Sequence, residues 1–308
     1  MTKILKKLIP VKFKTNLKIY LKSIKILIPI FFTRFIALET SEKKLNGFKY
    51  KYYLQDLLSV NSIGKSKLWE PHILKFSQMY LSEFNDKNIL DIGAHIGYHS
   101  MNFATLTKGK VYSFEPQPQN YKLLHLNAKI NNLKNIHPIM MSLSDINESS
   151  KIPLVSKSKD KGNMGDFTIN NLTSNMYAKI NSRTLDSFNL ENIALIKIDV
   201  QGWEKKVLKG AEETLKRCKP LLIIEFENHQ LLKTNTSVEE LIAYIKQLDY
   251  YIFYLDYSYP SDHVCVHKSE IDYFRSKFKK YIYEHTEDNP INNNLKLGIF
   301  EQIKFNLF

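Results

Sequence analysis

The stretch that decides the fold of this chain is Asn88–Ser100, which reads NILDIGAHIGYHS. It begins with an apolar run, passes through glycines at positions 93 and 97, and continues into a segment that can form a helix. A strand, a glycine turn and a helix start are typical of the first unit of an α/β sheet. Gly93 lets the backbone turn sharply beside a ligand, and Gly97 allows close packing of helix on strand. The pattern predicts a cofactor site.

The spacing of the turn bears on which cofactor binds. Dinucleotide sites favour G-x-G-x-x-G, whereas this turn has Asp91 at the strand end and only two glycines. That arrangement resembles motif I of class I S-adenosylmethionine methyltransferases, and the alternative is an ordinary strand-to-helix turn. A second run, residues 110–115, ends in Glu115 and reads as a strand. A carboxylate there accepts ribose hydroxyls in NAD and S-adenosylmethionine enzymes alike, so Glu115 indicates a nucleoside without deciding which.

Further acids follow later strands. We predict a third strand over residues 136–142, and a fourth, buried one over 195–200 that carries Asp199 at its end. Asp91, Glu115 and Asp199 then end three strands of one sheet, and open α/β sheets bind ligands at that edge. Glu70, in the helix that leads into the first strand, either approaches the cofactor or stabilises the helix N-terminus.

The 308 residues are enough for one α/β domain and an N-terminal extension. We divide the chain into a basic extension (1–68), a catalytic domain (69–285) and a tail (286–308). Residues 147–190 lack periodicity and are predicted to be an irregular insertion that contacts substrate. The two cysteines have no partner at metal-ligand spacing. We therefore predict reduced thiols and no metal site.

Charge is distributed unevenly along the chain. The net charge is +13, and residues 1–38 hold nine Lys or Arg and no acid. The excess indicates either an anionic partner or a solvated surface shaped by codon bias. The N-terminal segment lacks a signal-peptide cleavage site, and Lys22, Lys25 and Pro29 interrupt its apolar run. It is predicted to be mainly helical and either lies on an anionic membrane or packs on the domain. We expect a cytoplasmic protein, with or without peripheral membrane contact.

Several short motifs occur in a fixed order along residues 69–254. They are D-I-G-A-x-x-G (91–97), F-E-P (114–116), S-L-S-D (142–145), T-L-D (184–186), I-D-V-Q-G-W-E (198–204), V-L-K-G-A (207–211) and P-L-L-I-I-E (220–225). Their combination resembles the FkbM family of S-adenosylmethionine-dependent methyltransferases. The resemblance implies a Rossmann-like class I methyltransferase sheet, mostly parallel with one reversed strand, and O-methylation of a sugar or glycan hydroxyl.

The resemblance also implies roles for residues at matching positions. Those expected at S-adenosylmethionine are Asp91, Gly93, Ala94 and Gly97 along the cofactor, Glu115 at the ribose, Ser142 and Asp145 near the adenine, and Asp199 at the methyl-transfer face. Ser142 and Asp145 otherwise form a polar turn. The family often has Glu where this chain has Gln201. If that carboxylate matters for catalysis or metal binding, the activity of this chain is weakened or its site is metal-free.

Methyl transfer to a hydroxyl needs a base for one proton. Asp199 is the first candidate and His229 the second, while Glu225 is placed to hold the acceptor. The structural alternatives are an acid that caps a helix and a surface histidine. Two other functions stay open: a methyltransferase acting on a protein or RNA nitrogen, and a non-catalytic, membrane-peripheral glycan-binding protein. The sequence contains no recognisable RNA-binding module and no signal for oligomeric state.

Overall fold

The computed structural model describes residues 38–155, 164, 176–255 and 262–278, and the backbone of Tyr283–Glu284. The predictions for the basic segment up to residue 37 and for the tail 286–308 lie outside these residues. Among the helices that are described, none is long and apolar enough to cross a membrane.

The strands are short, as is usual in α/β domains. They are β1 (Thr40–Leu45), β2 (Phe48–Tyr53), β3 (Asn88–Ile92), β4 (Val111–Phe114), β5 (Ile136–Ile139), β6 (Ser142–Leu143), β7 (Glu148–Pro153), β8 (Tyr177–Arg183), β9 (Ile193–Ile198), β10 (Leu221–Glu225), β11 (Tyr250–Tyr254), β12 (Asp262–His267) and β13 (Tyr283–Glu284).

Helices alternate with the strands of the central sheet. They are α1 (Leu57–Ser59), which continues as a π-helix (Val60–Gly64), α2 (Pro71–Leu81), α3 (Tyr98–Leu106), α4 (Pro118–Ile130), α5 (Glu204–Lys209), α6 (Glu212–Cys218), α7 (Asn228–Leu232), α8 (Val238–Gln247) and α9 (Ile271–Phe278). Two 3₁₀-helices span Leu185–Phe188 and Lys268–Glu270.

The central sheet has the strand order β13-β11-β12-β10-β9-β3-β4-β5. Strands β5, β4, β3, β9 and β10 are parallel, and β12 runs antiparallel to both of its neighbours, β10 and β11. This confirms the predicted mostly parallel sheet. The reversed strand is β12, inserted beside β10, whereas β11 runs in the same direction as β10. The two-residue strand β13 pairs antiparallel with β11 at the sheet edge.

Both faces of the sheet are covered, as the near-continuous apolar strands require. Every residue of β9 is buried. Alternate side chains enter separate cores, with Leu195 and Ile223 on one face and Ile196 and Leu222 on the other. The lysine at position 197 is the one charged residue of β9, and it is only 3% exposed.

The extension contains a β-hairpin in its described part. Residues 48–53 form β2, and β1 pairs with it antiparallel. Tyr50, Tyr52 and Tyr53 are buried in the core beside α3 and α4. Residues 38–68 therefore pack against the catalytic domain.

One local prediction needs correction. The segment predicted as irregular contains β7 and β8, which form a separate sheet with β6 in the order β6-β8-β7. After β9 the chain forms two helices, α5 and α6, separated at Gly210. A Cβ at Gly210 would lie 1.9 Å from the carbonyl oxygen of Ser144, so this glycine lets the break pack against the chain after β6.

Candidate functional site

The carboxyl ends of β3, β4, β9 and β10 meet at one edge of the sheet and open into a cleft. Gly93, Glu115, Asp199 and Glu225 come from these four strand ends, and all four line the cleft. Its empty volume is about 1180 Å³, with the open mouth included.

The glycine turn after β3 lies tightly against the end of β9. Gly93 has a φ of +87°, and a Cβ there would lie 1.8 Å from the carbonyl oxygen of Asp199. The amides of Gly93 and Ala94 both donate to the carbonyl of Phe114 at 3.0 Å. The turn therefore joins three strand ends and leaves backbone, without a side chain, facing the cleft.

Glu115 is oriented by backbone amides. His95 N donates to its Oε2 at 2.8 Å and Gln117 N to its Oε1 at 2.9 Å. The carboxyl group is buried, and burial raises the pKa of Glu115 to about 6 although His95 and the two amides oppose the shift. Each carboxylate oxygen keeps further lone-pair capacity, which suits the acceptance of two neighbouring hydroxyl groups.

Asp199 is held between a buried cation and an amide. Lys197 Nζ lies 2.9 Å from its Oδ2, and Gln201 Nε2 donates to its Oδ1 at 2.9 Å. The same Gln201 amide lies 3.3 Å from Oε2 of Glu225. Gln201 therefore bridges two carboxyl groups that a glutamate at this position would repel.

The carboxyl group of Glu225 is surrounded by other acids. Burial, followed by the charges of Asp199 and Asp262, raises the pKa of Glu225 well above its usual range. Asp262 lies directly across from Glu225 in the antiparallel register and pairs with His72 Nε2 at 2.5 Å. The raised pKa favours the neutral carboxylic acid, which can donate a hydrogen bond as well as accept one.

Glu70 also lines the cleft, from the position immediately before α2. Its side chain does not cap the helix but pairs with His99 Nε2 at 2.7 Å. Burial alone would raise the pKa of Glu70, but the bond and charge of His99 and the charge of Lys197 lower it. Its φ of 42° is unusual for a non-glycine residue, and such strain is often found at functional sites.

The structure brings together only part of the predicted set. Ser142 lines the cleft and shares a 2.6 Å hydrogen bond with Ser182, and His229 lines it with a largely exposed side chain. The predicted residues that are not among those lining the cleft are Asp91, Ala94, Gly97 and Asp145. Their roles toward the cofactor stay predictions.

The buried positions of these residues show what they contact instead. Asp91 is 1% exposed and accepts a hydrogen bond from Ser100 Oγ. A Cβ at Gly97 would lie 2.6 Å from Cδ1 of Leu124, so this glycine packs against helix α4, where the sequence suggested packing on a strand. Asp145 accepts from Ser144 Oγ on the chain after β6.

The sequence interpretation missed Lys197 and His95. A lysine within an otherwise apolar buried strand is a signal, because such residues are rarely buried unless paired. His95 carries no comparable signal, since its position on the cleft wall depends on a φ of 50°. The described residues contain no group of three or more His, Cys, Asp or Glu arranged to hold a metal ion.

The Methyltransferase FkbM domain matches residues 91–252. A comparison with curated proteins found no significant match. Structural matches include the FkbM methyltransferase from Methylobacillus flagellatus KT, at 19% identity over 59% of this chain, with a TM-score of 0.43. This chain covers 44% of that protein.

Two further matches have ligands named in their descriptions. One is a putative methyltransferase from Streptococcus mutans in complex with SAH, at 16% identity over 65% of this chain and 98% of that one, with a TM-score of 0.42. The other is TYW2 from M. jannaschii in complex with AdoMet, at 16% identity over 74% and 84%, with a TM-score of 0.37. The domain match covers more than half of the sequence and includes all four strand ends at the cleft. The chain therefore belongs to the FkbM family of S-adenosylmethionine-dependent methyltransferases.

Proposed function

We propose that this protein transfers a methyl group from S-adenosylmethionine to a hydroxyl oxygen of a sugar or glycan. The observation that carries the proposal is the position of Asp199, a carboxylate paired with buried Lys197 on the wall that also holds Gly93 and Glu115. One cleft thereby combines a nucleoside-binding acid with a candidate base.

The residues of the cleft fit this cofactor. Glu115 has further acceptor capacity for two ribose hydroxyls, and Gly93 lines the cleft beside it without a side chain. Ser142 and Leu143 line the part of the cleft formed after β5, where an adenine is expected in this fold. When bound, S-adenosylmethionine supplies a methyl group on a positively charged sulfur, and the acids of the cleft favour a cation.

The protein's own residues then have two tasks. They hold the acceptor oxygen in line with the methyl group, which supplies much of the catalysis in a displacement of this kind. Asp199 accepts the hydroxyl proton as the oxygen attacks. Glu225, as a neutral acid joined to Asp199 through the Gln201 amide, donates a hydrogen bond to a second oxygen of the acceptor. His229 stands at the exposed rim, paired with Glu227 at 3.0 Å.

The lining of the cleft supports a neutral acceptor. No Lys or Arg is among the described residues that line it, whereas Glu70, Glu225 and Glu227 all do. RNA recognition depends strongly on cations that meet phosphates, and this wall offers carboxyl, amide and imidazole groups instead. Such groups are typical partners of sugar hydroxyls. This composition favours a glycan over a nucleic acid.

The test is a methyl-transfer assay with isotope-labelled S-adenosylmethionine and a panel of neutral sugars, with a peptide and an RNA oligonucleotide in parallel. We expect label on a sugar oxygen, and Asp199→Asn to lower turnover by about a hundredfold with cofactor affinity retained. Asp249→Asn is the matched control, because Asp249 is an exposed acid paired with Lys268 outside the cleft. Label on RNA or peptide alone, or an Asp199→Asn variant as active as the control, would overturn the proposal.

A further inference from the structure

His95 lies on the cofactor turn, next to the residue expected to bind ribose. Its backbone amide donates to Glu115 Oε2 at 2.8 Å, and its φ is 50°. The side chain lines the cleft and is 18% exposed. This left-handed conformation costs free energy in a non-glycine residue, so contacts elsewhere must hold it.

Asp56 supplies those contacts from outside the part of the chain that matches the family. It immediately precedes α1, is 1% exposed, and places Oδ2 3.3 Å from Nε2 of His95. Its Oδ1 accepts from the amide of Met164 at 3.2 Å, and Ser59 Oγ donates to its Oδ2. With its two oxygens engaged from three directions, the Asp56 carboxylate faces the imidazole in a fixed orientation.

The surroundings favour the charged form of His95. Burial lowers the pKa of this imidazole, but the charge of Asp56, 3.3 Å away, outweighs it, and the charges of Glu115 and Asp199 act in the same direction, so the pKa is raised. The other ring near it is the neutral indole of Trp69, at 6.4 Å between centroids. On the side of the glycine turn, the cleft thus meets an imidazole whose charged form is favoured by the carboxylates around it.

The buried Lys197 is already paired with Asp199 and is not among the described residues that line the cleft. The remaining histidine of the cleft wall, His229, is 63% exposed and paired with Glu227 at the rim. The amino-acid end of the proposed cofactor carries a carboxylate, and a carboxylate among several acids is unfavourable unless a cation pairs with it. The amino-acid chain is joined through sulfur to the ribose that Glu115 is expected to hold, and His95 adjoins Glu115.

We propose that Asp56 holds His95 as the cation that binds the carboxylate of the cofactor's amino-acid end. The inference rests on the proposed function, because it takes S-adenosylmethionine as the ligand. His95 is then a cofactor-binding residue, and Asp56 is a positioning residue that acts through it. Neither role could be inferred from the acids at the strand ends alone.

The test compares two ligands that differ only in the carboxylate. Calorimetric titration would use S-adenosylhomocysteine and its decarboxylated analogue with wild type and with His95→Asn, since asparagine tolerates the left-handed conformation. We expect His95→Asn to lower the affinity for S-adenosylhomocysteine by about tenfold or more, the usual effect of losing a charge-assisted hydrogen bond. The affinity for the decarboxylated analogue should fall by less than about threefold. Equal losses for both ligands would overturn the inference.

The pH dependence gives a second, independent readout. The preference of wild type for the carboxylate ligand should be present at low pH and fall as pH rises through the raised pKa of His95. In Asp56→Asn the same fall should occur at lower pH, because the charge that raises the pKa of His95 is gone. An unchanged midpoint would refute the role of Asp56. If Asp56→Asn does not fold, the wild-type profile and His95→Asn still decide the role of His95.

The two proposals fail differently in this experiment. If wild type binds neither ligand, the proposed cofactor is wrong. If it binds both equally well at every pH, the cofactor stands and the role of His95 is wrong.

Discussion

Substitution of Gly93 by alanine tests the close approach that builds the cleft. The glycine has a φ of +87°, and an added Cβ would lie 1.8 Å from the carbonyl oxygen and 2.9 Å from the carbonyl carbon of Asp199. Both contacts are with backbone, so no side-chain rotation can relieve them. The end of β9 must move, and it carries the candidate base with it.

The expected cost has two parts. A left-handed conformation costs a non-glycine residue about 1–2 kcal/mol. Forcing one extra carbon against packed backbone adds about 1–3 kcal/mol. The free energy of unfolding should therefore fall by about 2–5 kcal/mol, which is a large part of the stability of about 5–15 kcal/mol typical of a domain.

Gly47→Ala is the matched control, because it isolates the cost of the left-handed conformation from the cost of the backbone contact. Gly47 has a φ of +81°, and no atom lies within 4 Å of the position of its Cβ. Its substitution should cost only the conformational term of about 1–2 kcal/mol. It lies in the turn between β1 and β2, away from the residues that line the cleft.

Chemical denaturation of both variants, with the free energy extrapolated to water, measures the difference directly. Calorimetry with S-adenosylhomocysteine should show weaker binding for Gly93→Ala and unchanged binding for Gly47→Ala. Equal losses of stability in the two variants would refute the argument, since the backbone contact would then cost nothing. Intact ligand binding by Gly93→Ala would show that the approach of β3 to β9 does not shape the site.

Three further predictions concern charged groups. Asp186→Ala should destabilise the protein by about 1–2 kcal/mol without changing cofactor affinity, because the carboxylate accepts from the amide of Thr214 at 2.8 Å and from its hydroxyl at 2.7 Å at the start of α6; unchanged denaturation would contradict this. Lys197→Met should cost about 3–5 kcal/mol in denaturation, since it leaves the Asp199 carboxylate beside other acids without its cation; a stability equal to wild type would show that the pair is dispensable. Burial raises the pKa of Glu115 from 4.5 to about 6, so its contribution to stability is fully present below pH 4.5 and is lost as pH rises through 6. The free energy of unfolding of wild type relative to Glu115→Gln should fall between pH 4.5 and about 6, while the affinity of wild type for the cofactor rises. A difference in stability that does not change with pH would show that the pKa of Glu115 is not raised.

Local sequence determined the framework of the site. The apolar runs that precede Asp91, Glu115 and Asp199 form parallel strands. Each crossover returns the chain to the end of the sheet where the strands begin, so their carboxyl ends all meet at the opposite edge. The capping box at Ser237 likewise starts α8 as its four residues predict. These features depend on short spans of chain, so periodicity and motif order suffice to predict them.

Side-chain direction decided which of these residues face the cleft. In a strand, successive side chains point to opposite faces, and a turn can redirect them again. Glu115 and Asp199 follow their strands and reach the cleft, whereas Asp91 lies within β3 and is buried against Ser100. A motif gives the order of such residues along the chain, but not the face on which each one ends.

Contacts between distant segments were decided only by the tertiary structure. The pairing of Asp56 with His95 joins residues 39 positions apart, and the Gln201 amide bridges Asp199 to Glu225 across two strands. The burial of Tyr50 against α3 and α4 likewise makes the hairpin part of the domain. No local pattern encodes such pairs, because their free energy arises when burial removes water from groups that only the folded chain brings together. Sequence alone thus determined the sheet and the acids at its edge, and packing determined their charge states and partners.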